Sequence, residues 1–144
     1  MNYAIQDEYR ARAKYELIIE EMDCGRPFTN IIKSEETHIA LFKPLFEVRG
    51  VPVPGDDGAE HIVLPESIGA ALEIGVQAEI ANIAMYEKFL GQNLPEDLEE
   101  VFLRLKNASE NHLRAFKNAA SSESDGNRYG NSGNGRAKGR GNGR

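Results

Sequence analysis

Ser34-Glu35-Glu36-Thr37-His38-Ile39-Ala40-Leu41-Phe42-Lys43 returns later in the chain as Ala108-Ser109-Glu110-Asn111-His112-Leu113-Arg114-Ala115-Phe116-Lys117, with His112 standing where His38 stood. Upstream of each histidine segment lies a second repeated pair. Gln6-Asp7-Glu8 followed by Ala13-Lys14-Tyr15-Glu16 reappears as Gln77-Ala78-Glu79 followed by Ala84-Met85-Tyr86-Glu87. The chain therefore reads as a duplicated helical hairpin in which each half brings carboxylate and imidazole to one interior. Buried charge needs a partner, and such groups converging inside a bundle point to a metal.

Helical periodicity supports this reading. Four segments place apolar or polar-site residues at alternating steps of three and four, the spacing that aligns them on one helical face. The stripes are Ala4, Glu8, Ala11, Tyr15, Ile18, Met22; Phe28, Ile31, Glu35, His38, Phe42, Leu45; Leu72, Gly75, Glu79, Asn82, Tyr86, Phe89; and Leu98, Phe102, Leu105, Ser109, His112, Phe116. Every candidate ligand falls on an inward face.

The connections predict the topology. Asp23-Cys24-Gly25-Arg26-Pro27 and Gly91-Gln92-Asn93-Leu94-Pro95 are short breaks, each with Gly after one helix and Pro near the start of the next, so each pair should be antiparallel. Asn93 and Glu96 stand at capping-box spacing. The stretch from Gly50 to about Glu66 is rich in Pro, Gly and Asp and long enough to run the length of a helix. A bundle with one long crossover needs such a link. Pro44 lacks an amide donor and clashes with the carbonyl one turn before it, so a kink or bulge is expected after His38.

Composition fits one soluble domain: 144 residues, 40% hydrophobic and 28% charged. Charged residues interrupt the longest apolar stretches, so no membrane span is expected, and the N-terminus reads as no signal region, although a chain trimmed of a leader would read the same. Cys24 is the sole cysteine, which excludes an internal disulfide and a cysteine zinc cluster. A cytoplasmic setting is expected.

The net charge of −6 is unevenly spread. From Ser121 to Arg144, five cations against Glu123 and Asp125 leave a surplus of three, so the rest of the chain carries −9. With no aliphatic run to bury, residues 121–144 read as a disordered Gly/Asn/Arg-rich tail following a domain over residues 1–120. Only Tyr129 offers a stacking group there, so the tail reads as solubilising and nucleic acid is not an expected partner.

Glu35-x-x-His38 sets a carboxylate and an imidazole one turn apart, where both can reach one ion or bridge two. With one Glu on each of the first and third helices, the pattern resembles the ferritin-like di-iron carboxylate superfamily over residues 1 to about 118. The rubrerythrin-type branch is similar. So is a family of small ferritin-like proteins known only as a domain of unknown function, through Ser34-Glu35-Glu36-Thr37-His38 and Ala108-Ser109-Glu110-Asn111-His112-Leu113-Arg114-Ala115-Phe116. The resemblance implies an all-α ferritin-like four-helix bundle of two antiparallel hairpins joined by a long crossover. It also implies Glu8, Glu35, His38, Glu79 and His112 as metal ligands, with Glu35 bridging.

The chain departs from that pattern at Ser109, where a second glutamate would stand one turn before His112. Glu110 cannot replace it, because two positions before the histidine lies roughly 160° around the helix, and the same geometry excludes Glu36. One side of the site should therefore have fewer anions, and a single ion would also fit. Tyr15 and Tyr86, seven residues after Glu8 and Glu79, are either core tyrosines or partners that bond a ligand or donate an electron. Asn82 is a further polar stripe residue, and His61 reads as an ordinary loop histidine. Core histidines held by neighbours are the simpler reading of His38 and His112, but their equivalence in two glutamate-bearing stripes favours ligation.

Two functions follow from these readings. The resemblance implies a protein with two iron ions, or manganese, that oxidises Fe(II) with O2 or reduces peroxide, an oxidoreductase of ferroxidase or peroxidase type. It lacks the cysteine pairs of a rubredoxin-type site and would need an external electron donor. The alternative is a metal-free or structural-metal bundle serving as a binding or self-assembly module. A homodimer or larger homo-oligomer is expected, since an acidic body with a basic tail suits self-association.

Overall fold

Each stripe forms a helix in the computed structural model, which describes the backbone of residues 1–129 apart from residue 61 and the side chains through Ser124. The helices are α1 (Asn2–Met22), α2 (Phe28–Glu47), α3 (Ile68–Leu90) and α4 (Glu96–Tyr129), with no strand among the described residues. This is an all-α four-helix bundle. α1 packs on α2 and α3 on α4, and the hairpins join along α2 and α4. The expectation for His61 and that for the tail beyond Tyr129 lie outside the described residues.

Two apolar layers enclose a polar one. Ile5, Phe42, Tyr86, Phe102 and Leu105 belong to one buried cluster, and Tyr15, Ile18, Phe28, Leu72 and Phe116 to another. Between them, on every helix, the inward stripe turns polar: Glu8 follows Ile5, Glu35 and His38 lie between Ile31 and Phe42, Glu79 lies between Val76 and Tyr86, and Ser109 and His112 lie between Leu105 and Phe116. Gly75 keeps α3 close to α4. A Cβ there would stand 2.7 Å from the ring of Phe116.

The crossover is strapped to α1. Gln6 donates to the Gly55 carbonyl at 3.2 Å, Arg12 pairs with Asp56, and Arg10 approaches Asp57 at 3.8 Å. Gly58 passes so close that a Cβ would clash with the Tyr9 carbonyl oxygen. Gly58→Ala should therefore lift the strap, lowering stability by about 1–3 kcal/mol in chemical denaturation. The strap ends at Ser67, whose Oγ accepts from the Ala70 amide at 3.1 Å and caps α3.

α2 continues through Pro44 to Glu47, and the hydrogen bond that proline removes falls at exposed Ala40, where water can replace it. One local expectation needs correction. Asn93 does not cap α4. That helix begins at Glu96, with the Pro95 carbonyl accepting from the Leu98 and Glu99 amides at 3.0 Å, and Glu96, Asp97 and Glu99 place negative charge at its N-terminus. α4 also runs past the Ser121 boundary to Tyr129. The hydroxyls of Ser121, Ser122 and Ser124 donate to carbonyls one turn back at 2.9, 3.0 and 2.8 Å. By length and composition alone α3 is long and apolar enough to cross a membrane. In the bundle its inner face carries Glu79 and packs on α4.

Candidate metal centre

The polar layer brings all five candidate ligands together, with relative exposures of 3% for Glu8, 3% for Glu35, 5% for His38, 1% for Glu79 and 9% for His112. They form two groups. Glu8, Glu35 and His38 make one, and Glu35, Glu79 and His112 the other, each offering donor atoms within 4.8 Å of one another. Glu35 is common to both because its two oxygens face opposite ways. Oε2 lies 3.1 Å from His38 Nδ1, and Oε1 lies 3.4 Å from His112 Nδ1. The two imidazoles stack with centroids 5.9 Å apart.

The first group is already held by hydrogen bonds. His38 Nδ1 is 3.0 Å from Glu8 Oε2, the Tyr86 hydroxyl donates to Glu8 Oε1 at 2.5 Å, and Ser34 Oγ meets His38 Nε2 at 3.1 Å. Ser34 sits one turn before His38 and so turns Nδ1 toward the carboxylates. The second group has no such support. His112 Nδ1 lies 3.4 Å from Glu79 Oε1, within ion-pair distance but not aligned as a hydrogen bond, and His112 Nδ1 and both Glu79 oxygens are buried without a hydrogen-bond partner. The residue equivalent to Ser34 there is Ala108.

No Lys or Arg forms an ion pair with these glutamates among the described residues; their ion-pair partners are the two histidines. Burial, then the negative charge of Glu8, pushes the Glu35 carboxyl well above the usual carboxylate range. Glu8 is the opposite case. Burial opposes its ionisation, but hydrogen bonds from Glu35, His38 and Tyr86 outweigh it and hold its pKa low. The two carboxyls are thus pushed in opposite directions, and a bound cation would favour the ionised form of both.

Asp7 is a neighbour that the stripe pattern misses, being one residue off the strict stripe. Burial, then the charge of Glu8, raises its pKa from 3.8 to about 6. The folded state holds this proton above the pH at which the unfolded chain releases it. The group's effect is therefore neutral below pH 3.8, and it costs stability increasingly as pH rises toward about 6, above which the whole cost applies. Asp7→Asn should raise metal-free stability at pH 7.5 by about 1–3 kcal/mol, with the gain vanishing near pH 4, as measured by denaturation at the two pH values.

The remaining expectations divide. Tyr86 touches Glu8, whereas Tyr15 packs against Phe28 and Phe116, with centroids 5.7 and 5.5 Å away, and its hydroxyl has no hydrogen bond among the described residues. Asn82 is half-buried. Glu36 is exposed and Glu110 pairs with Lys106 at 2.8 Å, so neither joins the site. Ser109 is buried in the polar layer at 4% exposure. The expected shortage of anions on the His112 side is not what the geometry gives. Each group has two carboxylates and one imidazole, because Glu35 serves both.

No protein-family model matches the chain. An uncharacterized protein of Methanocaldococcus jannaschii, MJ0754, is 30% identical over 112 residues, covering 62% of this chain and 56% of that protein. The chain thus spans about half the length of this curated relative. The crystal structure of the hypothetical protein MJ0754 superposes with a TM-score of 0.77 at 25% identity, covering 85% of this chain and 78% of that one. The fold is therefore shared with a protein of experimental structure, and that protein's name assigns no activity.

Proposed function

We propose that this chain is a ferritin-like carboxylate protein holding two metal ions, iron or alternatively manganese, and that it oxidises Fe(II) with O2 or reduces peroxide. One observation carries the reading: Glu35 directs one oxygen to each of two buried Glu–His groups. The donor set fits the metals, since carboxylates and neutral imidazoles suit Fe(II) and Mn(II). The orphaned Glu79 oxygens and His112 Nδ1 would gain the partner that burial denies them.

Bound iron would supply the electrons for reducing O2 or peroxide. The protein's part is to position the donors and keep the site dry. Glu8 and His38 would hold one ion and Glu79 and His112 the other, with Glu35 between. Tyr86 fixes the orientation of Glu8 through its hydroxyl. Tyr15 and Tyr86, both buried, are the residues we assign to electron donation or to supporting the ligands. When Fe(II) is the substrate it supplies the electrons itself, whereas repeated peroxide reduction by resident ions needs an external reductant, and we place the protein in the cytoplasm.

A second reading, a metal-free or structural-metal module, draws on the first group, whose Tyr86–Glu8–His38–Ser34 chain is satisfied without a cation. Anaerobic Fe(II) titration followed by exposure to O2 or peroxide separates the two. Two equivalents bound per chain, then oxidised faster than free Fe(II), support the di-iron reading. Binding without faster oxidation leaves only a structural metal, and no binding removes both metal roles.

A further inference from the structure

α3 is the most apolar of the four helices, yet only 28% of its most apolar stretch is buried. Its outer face forms one exposed stripe at helical spacing: Glu73, Gln77, Ile80, Ala81, Ala84 and Lys88. Ile80 is 44% exposed and neighbouring Ile74 37%. Beside the second half of the stripe lies a groove of about 670 Å³ between α3 and the start of α1, lined by Ala84, Met85, Phe89 and by Tyr3, which is 67% exposed. A solvated helix face has no need of isoleucines beside an aromatic-lined groove.

The charges on this stripe are arranged about its centre. Glu73 lies as far before Ile80 as Lys88 lies after Ala81, so the stripe is complementary to its own reverse. Among the described residues Glu73 is engaged only by Gln77, at 2.9 Å on its own helix, and Lys88 has no ion-pair partner. We propose that a second copy of this chain docks here, α3 against α3, antiparallel about a twofold axis near Ile80 and Ala81. Each Glu73 then meets the partner's Lys88. Ala81 and Ala84 allow the helices to approach closely, and each Ile74 enters the groove beside the partner's Tyr3. The stripe has no surplus of cations to favour an anionic lipid surface.

This pairing is independent of the metal reading. It is tested by sedimentation equilibrium of the full chain from about 1 to 100 µM, the range in which a specific dimer of modest affinity dissociates. The wild type should be dimeric at the upper end, and Ala84→Glu monomeric with unchanged helical circular dichroism. Glu73→Lys and Lys88→Glu should each weaken association by about tenfold or more, and the double exchange should restore it, because both reciprocal pairs re-form with reversed sign. A wild type that stays monomeric, a dimer indifferent to Ala84→Glu, or a double exchange no tighter than the single variants would each overturn the proposal. Loss of helical signal in Ala84→Glu would leave the decision to the charge exchange.

Discussion

Glu35→Ala is expected to take bound metal from two equivalents per chain to none. Removing any terminal ligand should weaken one ion, but Glu35 faces both histidines, so its loss strips a donor from each group at once. The fold should survive. In the metal-free protein Glu35 is a buried carboxyl whose ionisation is disfavoured by burial and by Glu8, so deleting it removes an electrostatic cost along with some packing. Glu35→Gln, which keeps the volume and mimics the protonated carboxyl, should match the wild type in metal-free stability while still failing to bind. Glu36→Ala, on the exposed side of the same helix, should leave both equivalents in place. Metal analysis after anaerobic loading, with thermal denaturation of each metal-free variant, reads both effects. Equal losses from the two positions would mean that the site lies elsewhere.

Ser109→Glu should have a large effect of opposite sign in the two states. Ser109 is buried one turn before His112, in the layer that already contains Glu8, Glu35 and Glu79 without a Lys or Arg partner among the described residues. A fourth carboxylate there should lower metal-free stability by about 3–5 kcal/mol, the scale of an uncompensated buried charge. With metal present the same carboxylate supplies the missing second bridge and should tighten both binding steps, recovering the lost stability by linkage. Denaturation with and without saturating Mn(II) measures the crossover. A variant destabilised equally in both conditions would show that residue 109 does not reach the ions.

Much of this arrangement was legible in the sequence because it repeats. All six stripe residues of α2, from Phe28 to Leu45, and all six of α4, from Leu98 to Phe116, are buried as their spacing implied. The five candidate ligands converge because stripe position decides which face a side chain occupies. Periodicity is silent on relations between helices. It could not reveal that Glu35 divides its oxygens between two histidines, which is why counting residues by half led to an anion shortage that the geometry removes. Nor does it register contacts made without a period, such as the crossover strap at Gly58, or Arg49 in the turn after α2, which clasps Asp97 of α4 at 2.9 and 2.7 Å. Ser34 was readable, standing one turn before His38. Asp7 was not, since its shift comes first from burial, which a position one residue off the stripe does not signal, with Glu79 of α3 adding a smaller push. At Ser121 composition marked the end of burial, and serine hydroxyls bonded to the preceding turn accompany the exposed helix further.

The central claim is spatial, so anomalous diffraction from crystals loaded anaerobically with Fe(II) or Mn(II) tests it most directly. Two peaks should appear about 3.5–4 Å apart, the separation of bridged metal pairs, one beside Glu8 and His38 and the other beside Glu79 and His112, with Glu35 between them. A single peak, or ions bound only at surface carboxylates while the polar layer keeps its metal-free hydrogen bonds, would contradict the account.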